Sequence, residues 1–183
     1  MAEPTLRDRI GPGLDILSIG INPSVYSVEK GFNFARPGNR FWPAANTSGL
    51  LIAPVEPGPA AMRILFKRDR IGFTDIVKRP TRTANELNEA DYRRGARALL
   101  RKIERHEPLI AWFQGTSAYA KFLEYALESR RKVVAGEQVE RIGRTCVFVT
   151  PNPSGANPAA NPKALLEHFH ALAKFRKTIR SVS

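Results

Sequence analysis

The chain has one cysteine, Cys146, and three histidines, His106, His168 and His170, in 183 residues. A lone thiol cannot close a disulfide within the chain, and it cannot hold an iron–sulfur cluster or a cysteine-built zinc site, which need several thiolates. Cys146 opens the apolar run Cys146-Val147-Phe148-Val149 and reads as a small buried hydrophobe. His168 and His170 stand two apart in a predicted helix and point to different faces, and His106 falls near a helix end. Those positions suit solvated or core-edge roles better than metal ligation, so no metal is expected. Acidic residues are also scarce, with 17 Asp and Glu against 29 Lys and Arg, a formal net charge of +12. Such a field favours a polyanionic partner such as nucleic acid over an acidic small molecule, although charge speaks of association and not of fold. No apolar run approaches the roughly 20 residues of a membrane span. The start Met1-Ala2-Glu3-Pro4 has no basic-then-apolar targeting pattern, so the expectation is a soluble cytoplasmic protein, nucleoid-associated if the source is bacterial.

At roughly 100–200 residues per domain, the length predicts a single domain, 1–183, able to bury a core. Apolar runs at 14–19, 109–113 and 146–149 read as buried strands, and a further buried stretch ends at 74–77 before Pro80. Helical periodicity or capping signals mark a helix near Phe41-Trp42 and helices over 59–66, 89–105 (capped by Asn88), 117–127 and 162–179. The segment between the first strand and Phe41 reads as loop, and 132–140 as an irregular or hairpin connection. Strands alternating with helices predict the α/β class, a three-layer α/β/α domain with a mostly parallel central sheet. The arginines of the 89–105 helix and the C-terminal Lys174, Arg176, Lys177 and Arg180 read first as solvated faces, which add at most a sequence-blind attraction to phosphate.

Two segments near the ends of the chain carry most of the functional signal. Gly20-Ile21-Asn22-Pro23-Ser24 and Thr150-Pro151-Asn152-Pro153-Ser154-Gly155 each begin where a predicted strand stops. In an open α/β sheet that is where ligands bind. Glycine and proline force sharp turns there, and the amides of Asn22 and Asn152 suit recognition of a flat polar ligand.

Between these ends lie Gly31-Phe32-Asn33-Phe34-Ala35-Arg36-Pro37-Gly38-Asn39-Arg40-Phe41-Trp42, then Gly72-Phe73-Thr74-Asp75-Ile76-Val77-Lys78-Arg79-Pro80-Thr81, then Ala84-Asn85-Glu86-Leu87. In this order, over nearly the whole chain, the segments resemble the uracil-DNA glycosylase superfamily, in particular its mismatch-specific uracil/thymine-DNA glycosylase branch. The single cysteine sets aside the iron–sulfur branches of that superfamily. The resemblance implies a uracil-DNA glycosylase-like fold and a cofactor-free, monofunctional DNA glycosylase of base excision repair. Such an enzyme flips out uracil, and also 5-substituted uracils or thymine in mismatches, and hydrolyses the N-glycosidic bond to leave an abasic site. The implied partner is double-stranded DNA containing uracil mismatches, bound by a monomer.

The resemblance also assigns residues. Phe34 is the platform for the flipped base, against the alternative of a core phenylalanine. Backbone groups near Ile21 and Phe34, with the Asn22 region, would bind the uracil edge and stabilise charge on the departing base. Asn22 stands where the most active branch has an aspartate; an amide cannot act as a general base, so it would orient the attacking water, or else merely cap its loop as an Asx turn. Ser24 replaces the tyrosine with which the strictly uracil-specific branch excludes 5-methyl groups, leaving Tyr26 or Ser27 as alternative gates. Asp75 could polarise water and stabilise the cationic sugar-like transition state, or serve as a helix N-cap or a salt-bridge partner of Lys78 or Arg79. Lys78 and Arg79, with Ser154 and Gly155, are assigned to DNA binding. The chain departs from the family after Ser154-Gly155: Ala156, Asn157 and Pro158 stand in place of a leucine wedge and an arginine. Alanine is too small to fill a base-sized gap, so the wedge is weaker or falls to Asn157, and single-stranded DNA becomes an additional expected substrate. Two other classes stay open: a non-catalytic nucleic-acid-binding relative, and a serine hydrolase using Ser154. The second is disfavoured because Gly-x-Ser-x-Gly is missing and Pro153 precedes the serine.

Overall fold

The computed structural model describes residues 4–155 and 161–182. Branched and aromatic runs form β1 (Ile16–Gly20), β2 (Ile71–Asp75), β3 (Ile110–Gln114), β4 (Gly136–Ile142) and β5 (Thr145–Thr150), which lie side by side in the order β2-β1-β3-β5-β4. The first three and β5 are parallel, and β4 is an antiparallel edge. Parallel strands covered on both faces favour apolar residues on both, which is why these four read as near-continuous hydrophobic runs with polar residues mostly at their ends, and β4 does not.

Side chains alternate between the two faces. Ile16, Phe73, Trp112 and Phe148 face one way and pack with Phe41, Met62, Leu65 and Phe169. Those come from α2 (Phe41–Thr47), α3 (Pro59–Lys67) and α6 (Pro162–Val182). Leu17, Ile19, Phe113 and Val147 face the other way and meet Leu99, Ile103 and Phe122 from α4 (Glu89–His106) and α5 (Thr116–Ala126). Helices on both faces of a mostly parallel sheet make the predicted α/β arrangement.

Local chemistry sets the borders. At the start of α4, Asn88 Oδ1 accepts from the Asp91 amide at 2.9 Å while Asp91 Oδ2 accepts from the Asn88 amide at 3.1 Å, a reciprocal capping box. Glu107 then turns into the left-handed region at φ 42° and Pro108 follows. A β-carbon on Gly95 would stand 2.2 Å from the Ile76 carbonyl oxygen, so α4 packs against the backbone just beyond β2 and fixes the chain that leaves Asp75. Arg176, only 11% exposed, pairs with Asp15 at 2.7 Å, so this member of the C-terminal basic group anchors α6.

Two predicted loops contain regular structure. Residues read as loop after the first strand include α1 (Val25–Lys30), capped by Ser24, whose hydroxyl accepts from the Ser27 amide at 3.1 Å. Six residues are too few to show helical periodicity. The connection read over 132–140 is a hairpin, with β4 entering β5 through Gly143 at φ 56°. Among the described residues no helix is long and apolar enough to cross a membrane.

Candidate active site

The carboxyl ends of β1, β2, β3 and β5 leave a cavity of about 340 Å³, near the lower end of the roughly 300–1,000 Å³ of small-molecule sites. Its floor follows from the side-chain alternation. Gly20 pairs with Asp75 of β2, and one step beyond the Ile19–Phe113 pair it neighbours Gln114 of β3. All three therefore share the face of Phe73 and Trp112. A β-carbon on Gly20 would lie 2.5 Å from Asp75 Oδ1, so glycine here makes room for the carboxylate. The cavity opens over that gap, and Asp75 and Gln114 both line it.

The loop after β1 supplies one wall. The Asn22 amide donates to the Arg79 carbonyl at 2.9 Å and to the Thr81 hydroxyl at 2.7 Å. The carbonyl can only accept, which fixes the orientation of the amide and leaves Asn22 Oδ1 as its acceptor. Ile21 also lines the cavity, and its carbonyl accepts from the Val77 amide at 2.9 Å. Ser24 and Ser27 line it too, with their hydroxyls 3.0 Å apart. Tyr26 does not; its ring sits beside Lys30 on α1.

Opposite stands Phe34. Its ring lies 3.9 Å from that of Phe41 with planes 10° apart, and edge-on to Phe73. Its φ of 59° is unusual for a side chain of this size. The Phe41 stack and a hydrogen bond from Trp42 Nε1 to the Phe34 carbonyl, 3.1 Å, hold it there. The ring is partly buried, packs on the core and lines the cavity, so it combines features of both sequence readings.

Asn152 and Ser154 bring the second motif to the same cavity. The Asn152 side chain accepts from the Ser154 amide at 2.9 Å, and the Arg40 amide donates to the Pro153 carbonyl at 3.0 Å, tying this loop to the one that carries Phe34. A β-carbon on Gly155 would come within 3.0 Å of the Gly38 carbonyl oxygen. Ala156 and Asn157, the wedge positions, lie outside the described residues.

Asp75 is 5% exposed, and no hydrogen bond reaches its Oδ2 among the described residues. Lys78 Nζ stands 3.6 Å away, an ion-pair distance. The same ammonium is 2.8 Å from Asp8, which also pairs with Lys102 at 2.6 Å and accepts from Thr74 at 2.8 Å. Burial works against the Asp8 carboxylate, but hydrogen bonds from Lys102 and Lys78 outweigh it and hold its pKa below the ordinary range. Asp75 has weaker support, from Lys78 at 3.6 Å and the more distant Lys102 charge. Burial, with a smaller push from the Asp8 charge, raises its pKa to about 6 despite Lys78. No helix begins at Asp75, so the N-cap alternative does not apply, while the salt bridge to Lys78 is present. Arg79 pairs with Asp91 at 2.6 Å. Neither Lys78 nor Arg79 lines the cavity, whereas the exposed Arg36 and Arg82 do.

Sequence reasoning missed Gln114, Ser18, Thr81 and the two arginines, all lining residues. Gln114 carried a usable signal: a polar residue ending an apolar strand before glycine, at the same sheet edge as the two motifs. No histidine lines the cavity, and no three His, Cys, Asp or Glu side chains gather to hold a metal ion, both among the described residues.

A family profile described as the Uracil DNA glycosylase superfamily matches residues 8–174. In fold, the chain is similar to the solution NMR structure of a candidate uracil DNA glycosylase from Methanosarcina acetivorans. The TM-score is 0.62 and the identity 17%, over 97% of this chain and 99% of that one. The matched span takes in the Gly20 loop, Phe34, Asp75 and the Asn152 loop, and with it the chain belongs to the uracil DNA glycosylase superfamily.

Proposed function

We propose that the protein is a monofunctional DNA glycosylase of the mismatch-specific type, which extrudes uracil from DNA and hydrolyses its N-glycosidic bond. The observation that carries this reading is the convergence of Asn22, Phe34, Asp75 and Asn152 from four separate segments on one cavity at the carboxyl edge of the sheet. A stacked base cannot be reached in a duplex, and flipping it costs a few kcal/mol, least at a weak pair such as guanine with uracil. The extruded ring lies against Phe34. The bond from the sugar to the base breaks with its electron pair leaving on the base, and water adds to the sugar carbon. Asn22 Oδ1 accepts a hydrogen bond from that water and orients it. The Asp75 carboxylate faces the positive charge that grows on the sugar and takes up the proton released by the water. Ser154, Gly155, Lys78 and Arg79 bind phosphate in this reading, and the exposed Arg36 and Arg82 at the cavity add to the same field. The partner is uracil-mismatched duplex DNA, with single strands also accepted.

Release of free uracil from labelled oligonucleotides, leaving alkali-labile strands, tests this directly, with uracil single-stranded and opposite guanine or adenine. Base release above background is expected, fastest opposite guanine. DNA binding without release would favour the non-catalytic relative, and turnover of an ester control alone would favour a serine hydrolase.

Two further results are expected. The single-turnover rate should fall as pH drops through about 6, because Asp75 must be ionised and its pKa is raised to that value. A rate that is flat from pH 5 to 8 would remove the carboxylate from the chemistry. Ser24 is too small to block a 5-substituent and Tyr26 does not line the cavity. Thymine opposite guanine or 5-bromouracil should therefore be excised, the latter within about tenfold of uracil, or 1.4 kcal/mol of barrier. Rejection of every 5-substituted analogue would show that another residue closes this side.

A further inference from the structure

Gln114 is 2% exposed, lines the cavity, and has a hydrogen-bond partner for only half of its amide. Its Nε2 donates to the Ser18 hydroxyl at 3.1 Å, while Oε1 has none among the described residues. A buried polar atom without a partner pays its desolvation with nothing in return, so one retained at a cavity wall calls for a ligand that satisfies it. The surroundings show no competing use. Ser18 is 2% exposed and fixed in β1, Gly20 has no side chain, and Thr150, paired with Gln114 from β5 on the same face, turns its hydroxyl to Trp112 Nε1 at 3.0 Å; neither Trp112 nor Thr150 hydrogen-bonds Oε1. Only the cavity side is left to the amide. The terminal torsion of glutamine is soft, so Oε1 can turn toward an incoming group while the Ser18 contact persists or re-forms.

We infer that Gln114 is a specificity-determining residue that accepts a hydrogen bond from a ring N–H of the extruded base, with Ser18 holding its amide in place. This rests on the glycosylase reading and deepens it by naming the chemical feature selected: an imide-type N–H on the base edge, as uracil carries between its two carbonyls. A base whose corresponding nitrogen is alkylated or lacks hydrogen leaves Oε1 unpaired, and a site built around a hydrogen bond rejects such an analogue far more strongly than an apolar pocket rejects one of altered size. Asp75 stands on the far side of Gly20 with its Oδ1 against the gap, so Gln114 and Asp75 flank one opening, Gln114 toward the base edge and Asp75 toward the sugar.

The test crosses two proteins with two substrates. Wild type and Gln114→Met, which keeps length and volume but removes the amide, are each given oligonucleotides carrying uracil or N3-methyluracil under single-turnover conditions. Wild type should prefer uracil by at least 100-fold. In Gln114→Met the uracil rate should fall at least tenfold and the preference should shrink to within a few-fold. If the methyl group is excluded by bulk alone, the preference survives in Gln114→Met and the inference is overturned. Ser18→Ala, which frees the amide without deleting it, should give an intermediate uracil rate and keep the preference; a preference lost there as fully as in Gln114→Met would also overturn it. Thermal unfolding confirms that each variant is folded, and removing the orphaned oxygen should leave Gln114→Met no less stable than wild type. Failure of the broader reading looks different: wild type would then release no uracil from any oligonucleotide.

Discussion

Replacing Asp75 with asparagine is expected to cut single-turnover cleavage by about 10²-fold, near 2.7 kcal/mol of barrier, and to raise the midpoint of thermal unfolding at pH 8. The two effects share one cause. The carboxylate is buried under the cavity, with Oδ2 3.6 Å from Lys78, and burial lifts its pKa from 3.8 to about 6 against that attraction. Because the folded state favours the protonated form, the stabilisation it provides is complete below about pH 4 and is lost as pH rises through 6. Above that, the buried charge destabilises the fold by on the order of 3 kcal/mol. Asparagine removes the charge, and Lys78 keeps Asp8 as its partner at 2.8 Å. Stability should therefore rise most at pH 7–8 and little at pH 4, while affinity for an abasic product stays the same. A purely structural aspartate would behave in the opposite way, with a lower unfolding midpoint and an unchanged rate in the folded protein.

The second large effect is at Asn22. Asn22→Ala should lower cleavage at least tenfold, about 1.4 kcal/mol, with little change in DNA binding, because it removes the acceptor that orients water. Asn22→Asp should not restore activity. The Arg79 carbonyl, 2.9 Å from Nδ2, needs a donor, and a carboxylate there would set two acceptors against each other. Full activity in Asn22→Ala, measured in a single turnover, would take Asn22 out of the chemistry.

How far the sequence spoke depended on the kind of signal each feature needs. The sheet was legible because its four parallel strands are covered on both faces and so appear as mostly apolar runs; α4 was legible because its capping box and terminal Pro108 are local. Helix α1 was not, since its six residues hold less than two turns of pattern and its cap, Ser24, also lines the cavity. The strand-end loops pointed to Asn22 and Asn152 through composition alone. Asp75 was visible as a residue but not as a state, since its raised pKa arises from burial beside Gly20 and from Asp8, far away in sequence. Gln114 and Ser18 escaped for the same reason. Their pairing depends on two parallel strands in register, which no local pattern encodes.

Whether this cavity breaks the bond between uracil and deoxyribose can be read from a single reaction. Excess purified protein is mixed with an oligonucleotide bearing a single labelled uracil opposite guanine, and the free base and the strand are separated and quantified over time. Free uracil and an intact abasic strand are expected in equal amounts, from wild type and far more slowly from Asp75→Asn. A wild-type protein that binds the duplex yet releases no base would contradict that expectation.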